Sequence, residues 1–301
     1  MSVSILNLTK VFGTQTAVDD VSFEASSGVI TGFLGPNGAG KSTTMKMATG
    51  FLRPTSGDVL VDGVSVVSCP LEVKRMIGYL PEHNPMYLDM YVREFLSFIG
   101  RSYGLSSVKD RVEEMIALVG LQKESGKKIG TLSKGYRQRV GMAKALIHDP
   151  KVLILDEPTS GLDPNQILEI RRVIKDMSKD KTVILSTHIM QEVESICDQV
   201  VIIDSGQVVA NDNISSLRQS VADSNTMVVT FETKIDTKLF EAEGLVVVGM
   251  ENNSYHISSE RQDLRNEILR ITSANDLPLI SLNKSEQSLE QVFRQLTGNK
   301  K

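Results

Sequence analysis

One eight-residue run combines glycines with a lysine and a serine at a spacing suited to binding phosphate groups. The run reads Gly35-Pro36-Asn37-Gly38-Ala39-Gly40-Lys41-Ser42, and Thr43 follows it. It fits the pattern G-x-x-x-x-G-K-[ST], in which glycines allow backbone N–H groups to surround phosphate oxygens. The lysine would reach the β- and γ-phosphates and the serine hydroxyl would bind Mg²⁺. The pattern predicts a site for ATP and Mg²⁺, with a glycine-rich surface turn as the alternative.

The residues on either side of this run favour the phosphate-binding interpretation. An apolar strand ends at Leu34, and a helix is expected to run from the end of the motif to Gly50. A strand, a loop and a helix in this order are the context that the motif needs. The first turn of that helix would add favourable partial positive charge beside the phosphates.

Two adjacent carboxylates follow a second apolar stretch. Val152–Leu155 reads as a buried strand, and Asp156 and Glu157 come directly after it. Ligands of open α/β sheets bind at the carboxyl ends of the strands. Asp156 would therefore hold Mg²⁺ through water, and Glu157 would orient and polarise an attacking water molecule. A solvated turn is the alternative, but a phosphate loop earlier in the chain favours the catalytic interpretation.

The elements that must position these side chains form an α/β pattern. Residues up to about Gly63 read as short strands with alternating apolar residues. Helical periodicity predominates from about Leu71 to Pro150. Strand, helix and strand then follow over residues 152–185, and Val200–Ala210 reads as a hairpin. The pattern predicts an α/β domain over residues 1–218 with a mixed sheet core and a helical subdomain at about 71–150.

A second, smaller domain is predicted over residues 219–301. A stretch rich in Ser, Asn and Asp lies at residues 211–225, and a new run of elements begins after it. The predicted strands are 227–231, 245–250, 255–258 and 278–282, and the predicted helices are 236–241, 261–273 and 289–296. The order β-α-β-β-α-β followed by a last helix predicts a small α+β ferredoxin-like domain.

Composition limits the classes of partner. The chain of 301 residues has a net charge of −4, which argues against a broad nucleic-acid-binding face but leaves a local basic patch open. No run of about 18 apolar residues occurs, so we expect any membrane role to depend on a partner. Cys69 and Cys197 lie outside any C-x-x-C pattern and are expected to be buried thiols.

Four further segments resemble conserved segments of the ABC ATPases, in the same order as in that family. Residues 132–139, LSKGYRQR, resemble the LSGGQ signature, and residues 160–163, SGLD, resemble the D-loop. His188 follows a strand as the switch histidine of the family does. Phe12 lies where the family places an aromatic ring against adenine. The resemblance covers about residues 2–215 and implies a P-loop ABC ATPase fold.

The resemblance also implies a mechanism that needs two copies of the chain. The copies would close head to tail around two ATP molecules, with Ser133 and Gly135 of one copy contacting the γ-phosphate held by Lys41 of the other. His188 would contact the same phosphate and help to hold the attacking water. Asp163 would couple the two sites across the interface. Loss of the phosphate contacts after hydrolysis would open the dimer.

Two departures from the family pattern affect these expectations. The signature has Lys134 and Tyr136 where the family usually has Gly and Gln, although the serine and second glycine remain. The family's Q-loop glutamine is replaced by Glu82. A carboxylate can still bind Mg²⁺, so Glu82 is a predicted metal ligand together with Ser42 and Asp156. The alternative is that Glu82 is a surface residue of the loop.

Further resemblances concern the partner. In transporters of this family, the segment matching residues 83–95 receives a helix of the membrane subunit, so Tyr87, Tyr91 and Phe95 would line that groove or belong to the core. Residues 288–293 resemble a C-terminal extension of ABC-2 exporters, and residues 77–96 resemble subunits linked to gliding motility. The expected partners are a second copy and a multi-spanning permease, with no nucleic acid.

These partners predict a location on the inner, cytoplasmic face of the membrane. A soluble ATP-switched regulator or a nucleic-acid-associated ABC ATPase is the alternative function. Proteins of that class usually carry two fused cassettes or a long coiled-coil insertion, and the sequence shows neither.

Overall fold

The computed structural model of the protein describes residues 2–221, 226–251, 253–259 and 263–284, together with 289, 290, 293 and 297. It divides into two compact units, one ending at Ile214 and the other beginning at Ser215. This division lies a few residues before the expected boundary at 218, and the helix that begins at Ile214 runs across it.

The first unit contains the longer series of elements. Its strands are β1 (Val3–Phe12), β2 (Gln15–Ala25), β3 (Ile30–Leu34), β4 (Ser56–Val61), β5 (Val64–Ser65), β6 (Ile77–Leu80), β7 (Val152–Asp156), β8 (Thr182–Thr187), β9 (Gln199–Asp204) and β10 (Gln207–Asn213). Its helices are α1 (Lys41–Ala48), α2 (Pro70–Met76), α3 (Val92–Ser102), α4 (Val108–Leu118), α5 (Lys134–Leu146), α6 (Pro164–Ser178) and α7 (Met190–Ile196), followed by α8 (Ile214–Val221) at the division. A short 3₁₀ helix covers Ile129–Thr131.

Two sheets organise the first unit, and the larger one is mixed, as the sequence predicts. Its strand order is β10-β9-β3-β8-β7-β6, with β10 antiparallel to β9 and the other neighbours parallel. The central strands β3, β7 and β8 are buried along their whole length. Such strands read as continuous apolar runs because helices or another sheet cover both faces. The second sheet is antiparallel with the order β2-β1-β4-β5.

The region predicted as helical from about 71 to 150 contains one strand that the sequence interpretation missed. Residues Ile77–Leu80 form β6, which pairs in parallel with β7 and so belongs to the main sheet. Its four residues are too few for their periodicity to distinguish a strand from a helix. Gly78 allows the close approach of α5, because an added Cβ would collide with the carbonyl oxygen of Ala145. Helices α3, α4 and α5 pack together around one apolar cluster.

The second unit has the element order that the sequence predicts. The elements are β11 (Thr226–Phe231), α9 (Lys238–Glu241), β12 (Val246–Glu251), β13 (Ser254–Ser258), α10 (Leu264–Ala274) and β14 (Leu279–Lys284). The sheet is antiparallel with the order β12-β13-β11-β14, and its core includes Phe231, Phe240 and Tyr255. The predicted helix 289–296 and the segment 288–293 lie largely outside the described residues.

Two further features concern expectations about the chain as a whole. Within the described ranges, no helix is both long enough and apolar enough to cross a membrane. Cys69 is exposed, so the expectation of two buried thiols is wrong for that residue. Its position directly before α2 places it at the surface. Cys197 is largely enclosed, and burial raises the pKa of its thiol.

Candidate nucleotide site

The loop between β3 and α1 has the shape that a phosphate-binding loop requires. Gly38 and Gly40 have positive φ angles of 83° and 102°, which L-residues with a Cβ rarely adopt. An added Cβ on Gly40 would lie 2.5 Å from the carbonyl oxygen of Ala17, and one on Gly35 would collide with that of Ile203. The glycines therefore serve both the turn of the loop and its close packing against neighbouring strands.

Lys41 lies almost fully buried at the start of α1 and folds back along the loop. Its Nζ donates hydrogen bonds to the carbonyl oxygens of Gly35, at 2.8 Å, and Pro36, at 3.1 Å. The same Nζ is 3.7 Å from Glu157 Oε1. A buried ammonium group needs such partners, and they place its charge at the centre of the loop.

Asp156 ends β7 and lies beside the first turn of α1. Its Oδ1 accepts hydrogen bonds from Ser42 Oγ at 3.1 Å and from Ser186 Oγ at 2.9 Å. Burial raises the pKa of the Asp156 carboxyl, and the two hydroxyl groups oppose that rise. The structure therefore brings together the predicted metal ligands Ser42 and Asp156.

Glu157 and His188 face each other across the ends of β7 and β8. Parallel pairing of the strands sets Asp156 opposite Ser186, so the residues that follow each strand end are neighbours. His188 Nδ1 lies 2.9 Å from both carboxylate oxygens of Glu157. Glu157 has a positive φ of 51°, and its backbone N–H donates to Ser186 O at 2.9 Å. Its carboxylate is thus turned towards both Lys41 and His188.

Glu82 shares a cavity with the other two predicted metal ligands. The cavity has a volume of about 410 Å³, and Ser42, Glu82 and Asp156 all line it. The negative charge of Glu82 is one of the causes that raise the pKa of the Asp156 carboxyl. Nearby, the hydroxyl of Tyr79 is buried without a hydrogen-bond partner among the described residues. Hydroxyl and carboxylate oxygens are the donors that Mg²⁺ prefers, so this set fits that ion.

Ser133 and Gly135 lie at the start of α5, where Gly135 contacts the start of α6. Ser133 caps α5, where its Oγ accepts from the backbone N–H of Tyr136 at 3.4 Å. Gly135 is buried, and an added Cβ would collide with the side chain of Gln166. The Lys134 side chain lies against Gly161, so the residue that departs from the family pattern contacts the D-loop of its own chain.

Asp163 caps helix α6. Its Oδ1 accepts from the backbone N–H of Gln166 at 3.0 Å, and the Gln166 side chain accepts from the backbone N–H of Asp163 at 3.4 Å. This reciprocal pair is a capping box, and Pro164 follows as the first helical residue. The described contacts of Asp163 are therefore those of a helix cap.

Phe12 is a half-exposed aromatic ring at the end of β1. Lys10 Nζ lies 5.1 Å from the centre of the ring. The hairpin partner β2 then passes the phosphate loop, with Ala17 O beside Gly40. The ring is thus on the hairpin that borders the loop.

Tyr87 and Tyr91 are exposed, whereas Phe95 is only 2% exposed and belongs to the core. Of the two alternatives that the sequence leaves open for Phe95, the core position is therefore the one that the structure shows. Tyr87 packs edge-on against Phe95 and Phe98, with ring centres 6.3 Å and 5.9 Å apart. Phe95 and Phe98 are neighbours on α3 because they lie three residues apart, but Phe95 is buried whereas Phe98 is exposed.

Sequence reasoning missed two buried polar residues that complete the site. Ser186 donates to Asp156, and Glu192 accepts hydrogen bonds from Thr159 and Thr187. A hydroxyl at the end of an apolar strand and a carboxylate in the first turn of a helix were the available signals. Neither signal reveals which residue the side chain contacts. The partner of Ser186, for example, is Asp156, which lies 30 residues away along the chain.

Comparison with known proteins assigns the chain to a family. Residues 18–160 match the family model described as "ABC transporter". The Bacillus subtilis protein YxlF, named as an uncharacterised ABC transporter ATP-binding protein, is 35% identical over 97% of this chain and 98% of its own length. The chain belongs to the family of ABC transporter ATP-binding proteins.

A second protein sequence and a solved structure also match most of the chain. The bacitracin transport ATP-binding protein BcrA of Bacillus licheniformis is 33% identical over 98% of this chain and 97% of its own length. A solved structure titled as the ATP-binding subunit of an ABC transporter superposes with a TM-score of 0.68. It is 29% identical and covers 73% of this chain and 93% of that one. These matches show the P-loop ABC ATPase fold with its mixed sheet.

Proposed function

We propose that this ABC ATPase hydrolyses ATP between two copies of itself and thereby drives a separate multi-spanning membrane subunit. The observation that carries the proposal is the position of Glu157, whose carboxylate lies 3.7 Å from Lys41 Nζ and 2.9 Å from His188 Nδ1. A carboxylate between a phosphate-binding lysine and a second phosphate contact is suited to orient a water molecule for attack on phosphorus.

Lys41 binds the β- and γ-phosphates in this proposal. Its ammonium group exchanges the carbonyl oxygens of Gly35 and Pro36 for phosphate oxygens, which are stronger partners because they are charged. Backbone N–H groups of residues 37–43 surround the phosphates at the start of α1. Phe12 stacks on the adenine.

Ser42, Asp156 and Glu82 hold Mg²⁺ in this proposal. When bound, the ion supplies positive charge that stabilises the charge developing on the phosphate oxygens. The shared cavity of these three oxygen donors supports the assignment. Glu157 then accepts a proton from the attacking water, and His188 holds the γ-phosphate and that water in place.

The second copy completes each site. Ser133 and Gly135 of one copy contact the γ-phosphate bound to the other, and Asp163 couples the two sites. The exposed position of Ser133 at the first turn of α5 supports this assignment, because that end of the helix favours an anion. Hydrolysis removes the shared contacts, so the closed dimer loses its stabilisation and opens.

The membrane subunit docks on the exposed aromatic face around α3. Tyr87, Leu88, Tyr91 and Phe98 are exposed apolar side chains of this segment. Clustered exposed apolar residues are typical of protein interfaces. The full-length match to a protein named for bacitracin transport supports a transport role. The ATPase would therefore act at the cytoplasmic face of the membrane, held there by its partner.

The unit from Ser215 onward is proposed as a ferredoxin-like accessory domain with a bracing or regulatory role. Its β-α-β-β-α-β order and its antiparallel sheet support that assignment. An ABC-2 exporter as the partner and a link to gliding motility rest on the resemblances of residues 288–293 and 77–96, and both stay predictions.

Mg²⁺-dependent phosphate release tests the enzymatic part of the proposal. The purified chain should release phosphate from ATP in the presence of Mg²⁺ and should cease to do so when EDTA removes the ion. Absence of turnover under both conditions would indicate a nucleotide-binding module without hydrolysis. Strong salt-sensitive binding to nucleic acid would favour the alternative of a nucleic-acid-associated ATPase.

Co-purification from detergent-solubilised membranes tests the transport part. The chain should bring down a multi-spanning protein, and Tyr87→Glu should abolish that recovery while ATP hydrolysis by the isolated chain is retained. Val248→Glu is a matched control, because Val248 in the second unit is 61% exposed and Tyr87 is 60% exposed. Recovery without any multi-spanning protein would contradict the proposed partner.

A further inference from the structure

A buried carboxylate joins two segments of the site. Glu192 in the first turn of α7 is only 1% exposed. Thr159 Oγ1 donates a hydrogen bond to Glu192 Oε1, and Thr187 Oγ1 donates one to Glu192 Oε2 at 2.6 Å. Both threonines are buried as well. The backbone N–H of Ile189 donates to Thr187 Oγ1 at 3.1 Å, which orients that hydroxyl towards the carboxylate.

The two threonines lie on different segments, and each segment carries a proposed catalytic group. Thr159 comes two residues after Glu157, and Thr187 directly precedes His188. Glu192 therefore connects the segment that follows β7 to the end of β8, and the contact between Glu157 and His188 joins the same two parts of the chain. A change in the spacing of these segments would change that contact.

Thr187 also connects this arrangement to the phosphate loop. Its carbonyl oxygen accepts a hydrogen bond from the backbone N–H of Gly35 at 3.4 Å. The position of Thr187 consequently affects the first residue of the loop as well as His188.

Stability alone does not account for a carboxylate at this position. Burial raises the pKa of Glu192, while the Thr187 hydroxyl and the charge of Arg171 oppose the rise. Burying a carboxylate costs free energy even when it is paired, and an apolar side chain of similar volume is often at least as stable. What the carboxylate provides is a pair of oxygens that hold two hydroxyl groups at a set separation.

We propose that Glu192 is a positioning residue, which holds the segments of Thr159 and Thr187 together so that Glu157 and His188 face the same γ-phosphate. The inference rests on the proposed function, since it assigns Glu157 and His188 to hydrolysis. Glu192 itself touches neither the nucleotide nor the attacking water, and it acts through the two threonines.

Steady-state kinetics of Glu192→Leu is the first test. Leucine keeps an apolar volume at the site but accepts no hydrogen bond, so kcat should fall about ten- to a hundredfold through misplacement of the reacting groups. KM should change by less than about twofold, because Thr187 contacts the phosphate loop through the backbone N–H of its first residue, whereas Gly40 further along the loop packs against Ala17. Glu192→Gln has the same shape and still hydrogen-bonds at both ends, so its kcat should lie between those of the parent and Glu192→Leu.

Threonine variants provide the controls. Thr159→Val removes one of the two hydroxyls. In the double variant with Glu192→Leu, kcat should fall by less than the product of the two single effects, since both substitutions break the same connection. Thr31→Val is the matched control, because Thr31 is a buried strand threonine whose hydroxyl has no partner among the described residues. It should hydrolyse ATP at the parent rate.

NMR of the histidine rings is a readout that does not depend on turnover. The four histidines are His83, His148, His188 and His256, and the other three serve as internal references for His188. In Glu192→Leu and Thr159→Val, which break the connection, the ring signals of His188 alone should move. Unmoved His188 signals, or a parent-like kcat in Glu192→Leu, would overturn the inference. A parent that hydrolyses no ATP contradicts the proposed function, and the His188 signals still decide whether Glu192 positions that residue.

Discussion

At the scale of single residues, Glu157 is stabilised by two nitrogen-bearing side chains that the fold brings from distant parts of the chain. Lys41 approaches from the phosphate loop and His188 from the end of β8. A buried carboxylate needs partners of this kind. The three side chains therefore lie close together. Phosphate oxygens of a bound nucleotide would compete with the Glu157 carboxylate for Lys41 and His188.

Glu82 permits a prediction about Mg²⁺. Glu82→Gln replaces a charged ligand by a neutral amide oxygen, so the Mg²⁺ concentration for half-maximal ATP hydrolysis should rise about tenfold. At saturating Mg²⁺, kcat should approach that of the parent. Asp89→Asn is the control, because Asp89 is an exposed carboxylate of the same segment that is not among the residues lining the cavity. An unchanged Mg²⁺ dependence would show that Glu82 is a surface residue of its loop.

His148 permits a prediction about pH. Its ring stacks on Tyr103 with centres 4.0 Å apart, and Nε2 lies 3.1 Å from Ile77 O. Burial lowers the pKa of His148, and the contact with Ile77 O opposes the change. Between the folded and unfolded pKa values the unfolded chain binds the extra proton, so the free energy of unfolding should fall as pH drops below about 6.5.

Urea denaturation at about pH 7.5 and about pH 5.5 measures this effect. The loss of stability between the two pH values should be smaller in His148→Gln than in the parent, because glutamine does not titrate. An equal loss in both proteins would show that other groups account for the pH dependence.

The residues of the site differ in how far the sequence reveals them. Lys41, Ser42, Asp156 and Glu157 could be predicted because each has a set position relative to a loop or a strand end. Ser186 could not be predicted, because its contact with Asp156 exists only once β7 and β8 pair in one register. Site contacts that depend on the pairing of distant strands are therefore absent from local sequence patterns.

At the scale of elements, the phosphate loop depends on glycine at the point where β3 turns into α1. Gly40→Ala would force a Cβ to within 2.5 Å of Ala17 O at a φ of 102°. The free energy of unfolding should fall by about 2–4 kcal/mol, and ATP binding should weaken as the loop shifts.

Gly104→Ala is the control for this substitution. Gly104 also has a positive φ, of 75°, but an added Cβ would meet no atom within 4 Å. The free energy of unfolding of Gly104→Ala should fall by only about 1 kcal/mol. Thermal or urea unfolding measures both losses, and equal losses would show that close packing of the loop against β2 does not matter.

Long helices with periodic apolar residues, and strands that are followed directly by candidate site residues, could be predicted, whereas β6 could not. Helices α3, α4 and α5 lie within the stretch predicted as helical, because each repeats apolar residues at helical spacing. Residues Ile77–Leu80 have no such repeat, and their assignment to the sheet depends on pairing with β7. Phe95 was ambiguous for the same reason, since its burial depends on how α3 packs.

At the scale of the whole molecule, the chain combines an ATPase unit with a smaller antiparallel unit. The first unit contains Lys41, Asp156, Glu157 and His188, which would bind and polarise a triphosphate in the proposed mechanism. Ser133 is exposed at the start of α5 and would contact the γ-phosphate held by a second copy in the proposed mechanism. That mechanism therefore depends on assembly of two copies.

The most direct measurement is the mass in solution of Glu157→Gln with and without ATP, obtained by size-exclusion chromatography with light scattering. The variant keeps Lys41, Ser42 and Ser133 but lacks the base, so ATP and Mg²⁺ should convert it to a stable dimer, and Ser133→Arg in the same background should prevent dimerisation. A Glu157→Gln variant that binds ATP yet stays monomeric, or one that hydrolyses ATP at the parent rate, would contradict the account.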